Sequence, residues 1–233
     1  MIKYLPNTIT CLNLFSGCIG VVFAFNDNLI YAGYAILIAA FLDFFDGMAA
    51  RLLNINSLMG KELDSLADMV SFGFLPSVII FQLIADSPQI HEGNEWLKYS
   101  AFLIAIFSAL RLAKFNIDTR QSDSFIGLPT PSSALVILSI PYIIERGGMI
   151  GDAFQSLIGL IAITLLLSYL LVAELPLLSL KFKSFNFSSN RFRYYLLITG
   201  TLLFIFLQFA AIPLIIFIYI MLSLIQTNKI ASI

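Results

Sequence analysis

The sequence predicts an all-α, polytopic bundle of about eight transmembrane helices, and three features of its composition predict it. Of its 233 residues, 59% are apolar and only 12% are charged, against roughly 25% charged in an ordinary soluble domain. The mean hydropathy of +0.93 excludes a water-soluble globule, which needs polar residues to cover its surface. It also excludes a disordered chain. The net charge of −1 argues against a protein that binds nucleic acid, because such a protein needs a basic face.

Apolar runs near the length of a bilayer span follow one another along the chain. A spanning helix needs about 20 such residues. None of the runs alternates with the period of two that a membrane β-strand shows. We therefore expect a single integral membrane domain over residues 1–233. The runs lie near residues 8–25, 29–52, 62–85, 97–114, 131–145, 153–173, 193–208 and 210–226.

Lysine and arginine are distributed unevenly between the two ends of these runs. Of the 13 such residues, only Lys98 and Arg146 fall on the side opposite the N-terminus. The positive-inside rule therefore predicts a multi-pass protein of the cytoplasmic (inner) membrane with both termini in the cytoplasm. Acidic residues occupy the opposite loops, at Asp27, Asp86, Glu92, Glu95, Glu145 and Asp152.

Cysteine and histidine offer no metal site of their own. Cys11 and Cys18 stand seven apart in one apolar run, a spacing that suits neither a zinc site nor a disulfide framework. A single histidine, His91, cannot build a histidine-based site.

Four aspartates lie in apolar helices near their cytoplasmic ends. Asp43 and Asp46 are three apart in the second run, and Asp64 and Asp68 are four apart in the third, so each pair shares one helix face. The short connection 53–59 makes the two helices neighbours. Ionisable residues inside a membrane are costly and therefore indicate function.

Four neighbouring carboxylates could not all stay ionised unaided, because like charges oppose one another. Bound divalent cations are the simplest compensation, and ligands made only of oxygen select hard ions such as Mg²⁺, Mn²⁺ or Ca²⁺. Two alternatives stay open at this point. The acids could pair with basic residues elsewhere and hold the bundle together, or they could line a cation pathway.

The aspartates also belong to a longer pattern. Residues 43–68 fit D-x2-D-G-x2-A-R-x8-G-x3-D-x3-D with every spacing kept. This pattern resembles the signature of the CDP-alcohol phosphotransferases, membrane enzymes that displace CMP from a CDP-linked lipid or alcohol with an acceptor hydroxyl. The resemblance implies a divalent cofactor, Mg²⁺ or Mn²⁺, at a two-metal site that clamps the attacking and leaving oxygens. It also implies a homodimer.

The same resemblance assigns roles to individual residues. It implies that Asp43, Asp46 and Asp64 are metal ligands, and that Asp68 is the general base and a further ligand. Gly47 would let the nucleotide approach the helix backbone, and Arg51 would contact the phosphates with its planar fork. The residues implied to bind CDP-diacylglycerol are Asn7, Thr10, Gly47, Arg51, Ser57 and Gly60.

Further segments resemble the phosphatidylserine synthase branch of the family. They are the runs 6–17, 71–76, 111–116 and 125–131, so the implied catalytic core is about 6–131, with additional membrane helices about 132–226. L-serine is then the implied acceptor. Because serine carries a carboxylate, its site needs a cation, and the candidates are Arg111 and Lys114 with Asn116 beside them. Alternatively, these basic residues only anchor the bundle at anionic headgroups.

Two other functions remain open on the sequence. The same chemistry could use another acceptor, namely glycerol 3-phosphate, inositol phosphate or choline. A phosphorylated acceptor would want several more basic residues near the site. A membrane cation transporter would use the four aspartates differently, and it would need polar residues that continue to the far side. The stretches 31–40 and 76–84 offer little polarity for such a pathway.

Overall fold

The protein is a helical bundle with one small β-ribbon. The computed structural model describes residues 4–55, 57–118, 124–178 and 187–231, with only the backbone described at 124–125, 187–189 and 227–231. The helices are α1 (Leu5–Phe25), α2 (Leu29–Leu52), α3 (Leu58–Asp68), α4 (Leu75–Ala85), α5 (Leu103–Ile117), α6 (Thr130–Arg146), α7 (Gly148–Gln155), α8 (Leu157–Val172), α9 (Phe187–Leu207) and α10 (Ile212–Ala231). A π-helical segment (Met69–Phe74) joins α3 to α4, and 3-10 segments (Glu95–Phe102 and Gln208–Ala211) precede α5 and α10.

The all-α membrane class is confirmed, whereas the number of eight spans is not. By length and composition, five helices of the described chain can cross a membrane, or six if the bent pair Gly148–Gln155 and Leu157–Val172 forms one span. Helix α6 has only 17 residues. Helices α9 and α10 fall within one apolar stretch but fold back on each other. This is seen at Gly200 of α9, where a Cβ would lie 3.6 Å from Ile215 Cγ2 of α10.

Local sequence explains where the helices of the site begin. Pro6 lies in the first turn of α1, where its missing N–H costs no helical hydrogen bond. Ser57 caps α3, since its hydroxyl accepts a hydrogen bond from the Gly60 N–H at 3.2 Å. Pro76 lies in the first turn of α4.

Helix α1 packs closely against the segment that follows Asp68. A Cβ at Gly17 would lie 2.5 Å from Ser71 Oγ, so only glycine allows this approach. The buried Ser71 hydroxyl donates to the Asn13 carbonyl at 3.0 Å. The π-helical segment between α3 and α4 therefore lies directly against α1, and α1 becomes one wall of the site.

A two-stranded antiparallel ribbon, which the sequence did not predict, lies near α5. Strand β1 (Ser124–Ile126) pairs with β2 (Pro176–Leu178), with Phe125 opposite Leu177. Gly127 follows β1 with a φ of 78°, and its N–H donates to the Leu175 carbonyl at 2.9 Å. The next N–H, of Leu128, donates to Leu170 at 2.8 Å. The end of α8 thus fixes the backbone at the start of α6.

Candidate active site

The four signature aspartates lie on the facing sides of α2 and α3. Ligand oxygens of Asp43, Asp64 and Asp68 all lie within 4.8 Å of one another. Asp46, one turn further along α2, is buried with 5% of its surface exposed. The predicted meeting of two helix faces therefore exists, with three carboxylates in one group and the fourth beside it.

The donor set fits a divalent metal. All four side chains offer carboxylate oxygens, the ligands that hard cations prefer. The buried Oδ2 of Asp46 has no hydrogen-bond partner among the described residues. A buried carboxylate oxygen without a partner is costly unless a cation or a donor completes it. Asp43, Asp46, Asp64 and Asp68 together form a group that can hold such ions.

Asn13 of α1 is a part of the site that the motif does not contain. Its side chain is fully buried, and its Nδ2 donates a hydrogen bond to Asp68 Oδ1 at 3.3 Å. Its own Oδ1 has no partner among the described residues. The hydrogen bond holds one oxygen of Asp68, and no residue of the described chain donates a hydrogen bond to the other. A polar residue in the middle of an apolar run was the signal that could have revealed Asn13.

A cleft of about 260 Å³ opens between the start of α1, the end of α2 and the start of α3. Most of the predicted nucleotide-binding residues meet there. No neighbouring heavy atom lies within 4 Å of a Cβ built at Gly47, so that face of α2 is open. The predicted residues that line the cleft are Asn7, Thr10, Asp46, Gly47, Ser57, Gly60 and Asp64.

Two basic residues stand near this cleft. Arg51 is exposed and is not among the lining residues. Its Nε donates to the Gly47 carbonyl at 2.9 Å, and its terminal nitrogens make no hydrogen bond to any residue that the structure describes. Lys61 lines the cleft, and its ammonium donates to the Asn116 carbonyl at 3.0 Å. The sequence predicted no role for Lys61. Its position within the signature, next to Gly60, was the available signal.

A second cavity of about 310 Å³ lies on the other side of Asp64. Asp43 and Asp68 line it, and Asp64 and Lys61 line both spaces. The two spaces therefore meet at the carboxylates. The remaining lining residues are Ser65 of α3 together with residues of α5 and of the turn into α6, namely Arg111, Leu112, Phe115, Asn116, Pro129, Thr130 and Pro131.

Arg111 is buried in the wall of this second cavity, with 5% of its surface exposed. Its Nε donates to the Leu128 carbonyl at 3.2 Å, and the guanidinium lies 5.2 Å from the centre of the Phe115 ring. Within the described chain, no carboxylate lies within ion-pair distance of it. A buried cation without an acidic partner is unfavourable unless a ligand supplies the anion.

The other two predicted acceptor residues differ in position. Asn116 lines the cavity, and its Nδ2 donates to Ser65 Oγ at 2.8 Å. Lys114 is not brought to the cavity. Its ammonium lies 3.4 Å from Glu174 Oε1 in an exposed ion pair. The structure therefore separates Lys114 from Arg111, although the two lie only one helical turn apart.

Thr130 is a second cavity residue for which the sequence predicted no role. It is 2% exposed, and its hydroxyl has no hydrogen-bond partner among the described residues. It lines the same cavity as Asp68 and Arg111. An unpaired buried hydroxyl at this place can bind a polar ligand. A threonine between Pro129 and Pro131 was the only signal in the sequence.

Residues 3–174 match the family model for CDP-alcohol phosphatidyltransferase. The chain belongs to the CDP-alcohol phosphatidyltransferase family. Helices α9 and α10 lie beyond the part of the chain that the family model matches.

Relatives within the CDP-alcohol phosphatidyltransferase family include three informative proteins. A CDP-diacylglycerol–serine O-phosphatidyltransferase of Bacillus subtilis is 41% identical over 60% of this chain and 77% of its own. One of Helicobacter pylori strain J99 is 38% identical over 57% of this chain and 55% of its own. The archaetidylserine synthase of Methanothermobacter thermautotrophicus is 33% identical over 58% of this chain and 56% of its own. The chain thus spans little more than half the length of the Helicobacter and archaeal relatives.

Proposed function

We propose that the protein transfers the phosphatidyl group of CDP-diacylglycerol to the hydroxyl of L-serine, giving phosphatidylserine and CMP. The observation that carries the proposal is Arg111, a buried cation without a carboxylate partner within the described chain, in the same cavity as Asp68. An acceptor with a carboxylate supplies the missing anion. The names of the relatives from Bacillus and Helicobacter support the same donor and acceptor.

The cleft between α1, α2 and α3 is the proposed nucleotide site. Asn7, Thr10 and Ser57 offer polar groups along it, and the open face at Gly47 lets a nucleotide approach the helix backbone. The free terminal nitrogens of Arg51 suit phosphate oxygens, because a guanidinium can make two parallel bonds. Lys61, where the two spaces meet, adds a second cation near the pyrophosphate.

Asp43, Asp46 and Asp64 are the proposed ligands of Mg²⁺ or Mn²⁺ at a two-metal site, and Asp68 is a further ligand. When bound, such ions neutralise pyrophosphate charge and stabilise the attacking and leaving oxygens of an in-line displacement. The group of three carboxylates within 4.8 Å and the unpaired Oδ2 of Asp46 support this assignment.

Asp68 is the proposed general base. It lines the acceptor cavity, and Asn13 holds one of its oxygens while the other stays available for a proton. The serine hydroxyl loses its proton to Asp68, and its oxygen forms a bond to the phosphorus that carries the lipid. The bond from that phosphorus to the CMP oxygen breaks, and the electron pair leaves with CMP.

Arg111 is the proposed ligand of the serine carboxylate. Because its Nε is bound to Leu128, both terminal nitrogens remain for the carboxylate. Thr130 and Asn116 line the same cavity and offer further polar contacts to the acceptor. The ion pair of Lys114 with Glu174 removes Lys114 from this proposal.

The alternatives find less support in the structure. A phosphorylated acceptor such as glycerol 3-phosphate or inositol phosphate needs several cations, and Arg111 and Lys61 are the basic residues that line the described cavity. A cation transporter needs polar groups beyond the carboxylates. In the described helices, the core behind them is apolar, with Ala32, Ile36 and Ile79 fully buried.

We also propose how the protein sits in its membrane. Five to six apolar helices support a multi-pass protein, and the excess of lysine and arginine on one side supports cytoplasmic termini and a cytoplasmic active site in the inner membrane. Residues of α1, α2, α4, α6, α8 and α10 share one hydrophobic core, which supports a single domain. A homodimer is proposed on the family resemblance.

The proposal is tested with purified protein, CDP-diacylglycerol and a panel of labelled acceptors at fixed Mg²⁺ or Mn²⁺. We expect CMP release and a labelled phospholipid with L-serine, and weak turnover with ethanolamine, which lacks the carboxylate. Faster turnover with glycerol 3-phosphate, inositol phosphate or choline would contradict serine as acceptor. Cation flux into liposomes without CMP release would favour the transporter.

A further inference from the structure

The last helix of the chain reaches the framework of the acceptor cavity. Tyr219 of α10 is buried with 6% of its surface exposed, and it belongs to the same core cluster as Leu128 and Leu177. Helix α10 therefore packs against β2 and α6, although it lies outside residues 3–174 that the family model matches.

Two side chains of α10 bind the β-ribbon at the same residue. The Tyr219 hydroxyl donates a hydrogen bond to the Leu178 carbonyl at 2.8 Å. The Leu178 N–H donates to Ser223 Oγ at 3.1 Å, and that hydroxyl donates to the Tyr219 carbonyl at 2.7 Å. Both backbone groups of Leu178, at the end of β2, are thus held by one turn of α10.

The ribbon transmits this attachment to Arg111. Strand β2 pairs with β1, and β1 leads directly into Gly127 and Leu128. The Leu128 carbonyl is the acceptor for Arg111 Nε. A Cβ at Gly127 would lie 2.8 Å from the Leu171 carbonyl, so this backbone is packed tightly and cannot shift freely. The position of β2 therefore bears on the position of the carbonyl that orients Arg111.

We propose that Tyr219 and Ser223 of α10 are positioning residues for the acceptor, because they fix the β-ribbon that leads into Leu128, whose carbonyl orients Arg111. The inference rests on the proposed function, in which Arg111 binds the carboxylate of the acceptor. It gives α10 a part in acceptor recognition: the helix makes no contact with the substrate, and it sets the direction in which the guanidinium points.

The test uses the full-length protein with the variants Tyr219→Phe, Ser223→Ala and Ser223→Thr. Loss of one neutral hydrogen bond predicts a rise of roughly 2- to 10-fold in the KM for serine, with kcat and the KM for CDP-diacylglycerol nearly unchanged. Ser223→Thr keeps the hydroxyl and should retain the wild-type KM. The control is Phe217→Leu on the same helix, because the Phe217 side chain faces away from the core with 57% of its surface exposed.

A double-mutant cycle separates positioning from general loosening of the fold. In the Arg111→Ala background, Tyr219→Phe should no longer raise the KM for serine, because no guanidinium is left to orient. An equal rise in both backgrounds would overturn the inference. A wild-type KM for serine in both Tyr219→Phe and Ser223→Ala, or an equal rise in the KM for CDP-diacylglycerol, would also overturn it.

Failure of the proposed function gives a different result. The acceptor panel on the wild-type protein decides that question first, and the KM series is then measured with the acceptor that the wild-type protein uses. Folding of each variant is judged by size-exclusion chromatography and thermal unfolding. If Tyr219→Phe does not fold, the comparison of Ser223→Ala with Ser223→Thr provides the same test.

Discussion

Asn13 Nδ2 donates a hydrogen bond to Asp68 Oδ1 across 3.3 Å, although 55 residues separate the two along the chain. The first helix thus reaches a carboxylate group whose four aspartates come from α2 and α3. Asn13 is itself held, because its carbonyl accepts from Ser71 of the π-helical segment that follows Asp68. This pairing predicts that catalysis depends on a residue outside the aspartate signature.

Asn13→Leu keeps the side-chain size and removes the amide. A hydrogen bond to a charged group is worth about 1.5–3 kcal/mol, so we expect kcat for CMP release to fall roughly 10- to 150-fold, with smaller changes in both KM values. Asn28→Ala, at the other end of α2, serves as the control. An unchanged kcat would show that Asn13 only packs α1 against α3.

The aspartates should separate into two classes. Asp43→Asn, Asp46→Asn and Asp64→Asn each remove a ligand charge, so we expect weaker Mn²⁺ binding and loss of turnover together. Asp68→Asn should mainly abolish turnover and leave binding of CDP-diacylglycerol largely intact. Calorimetry with Mn²⁺ and a CMP-release assay measure both, with Asp152→Asn as the control. Near-normal turnover in Asp68→Asn would contradict the assignment of Asp68 as the general base.

Arg51→Lys should impair the enzyme although it keeps the charge. Lysine is a point donor and cannot make two parallel bonds to a phosphate, so we expect the KM for CDP-diacylglycerol to rise by roughly 10-fold. The KM for serine should change little. Arg146→Lys on the opposite face is the matched control. Unchanged kinetics would indicate that Arg51 anchors α2 at the membrane surface.

Arg111 and Lys114 should behave differently despite their similar charge. Arg111→Ala removes a charge-assisted bond to the acceptor carboxylate, so we expect the KM for serine to rise roughly 10- to 150-fold. Lys114→Ala breaks only an exposed ion pair with Glu174 and should leave that KM nearly unchanged. Steady-state kinetics at saturating CDP-diacylglycerol measures both variants. Equal effects would place both cations at the acceptor.

The topology follows from charge and is checked by labelling. Tags at residues 1 and 233 should be accessible only from the cytoplasmic side, and a cysteine probe at residue 92 only from the outside, because 11 of the 13 lysines and arginines lie on one side. Accessibility of residue 233 from the outside would mean that the number of spans is odd.

The sequence by itself determined the membrane class, the helices α1 to α3 and the meeting of their aspartates. These features depend on composition and on helical periodicity, which are local properties. The number of spans, predicted as eight, could not be settled from the sequence. Helix α6 is short, and α9 and α10 form a hairpin within one apolar stretch. The three-residue strands of the ribbon carried no periodic pattern that could predict them.

Only the tertiary structure decided which polar residues join the aspartates. Arg111 and Lys114 share one helix face in the sequence, yet Lys114 pairs with Glu174, 60 residues away, while Arg111 is bound by the Leu128 carbonyl in the cavity. Asn13 and Tyr219 likewise form hydrogen bonds with partners distant along the chain. Helical periodicity fixes the direction of a side chain from its own axis, whereas its partner depends on which helices pack together.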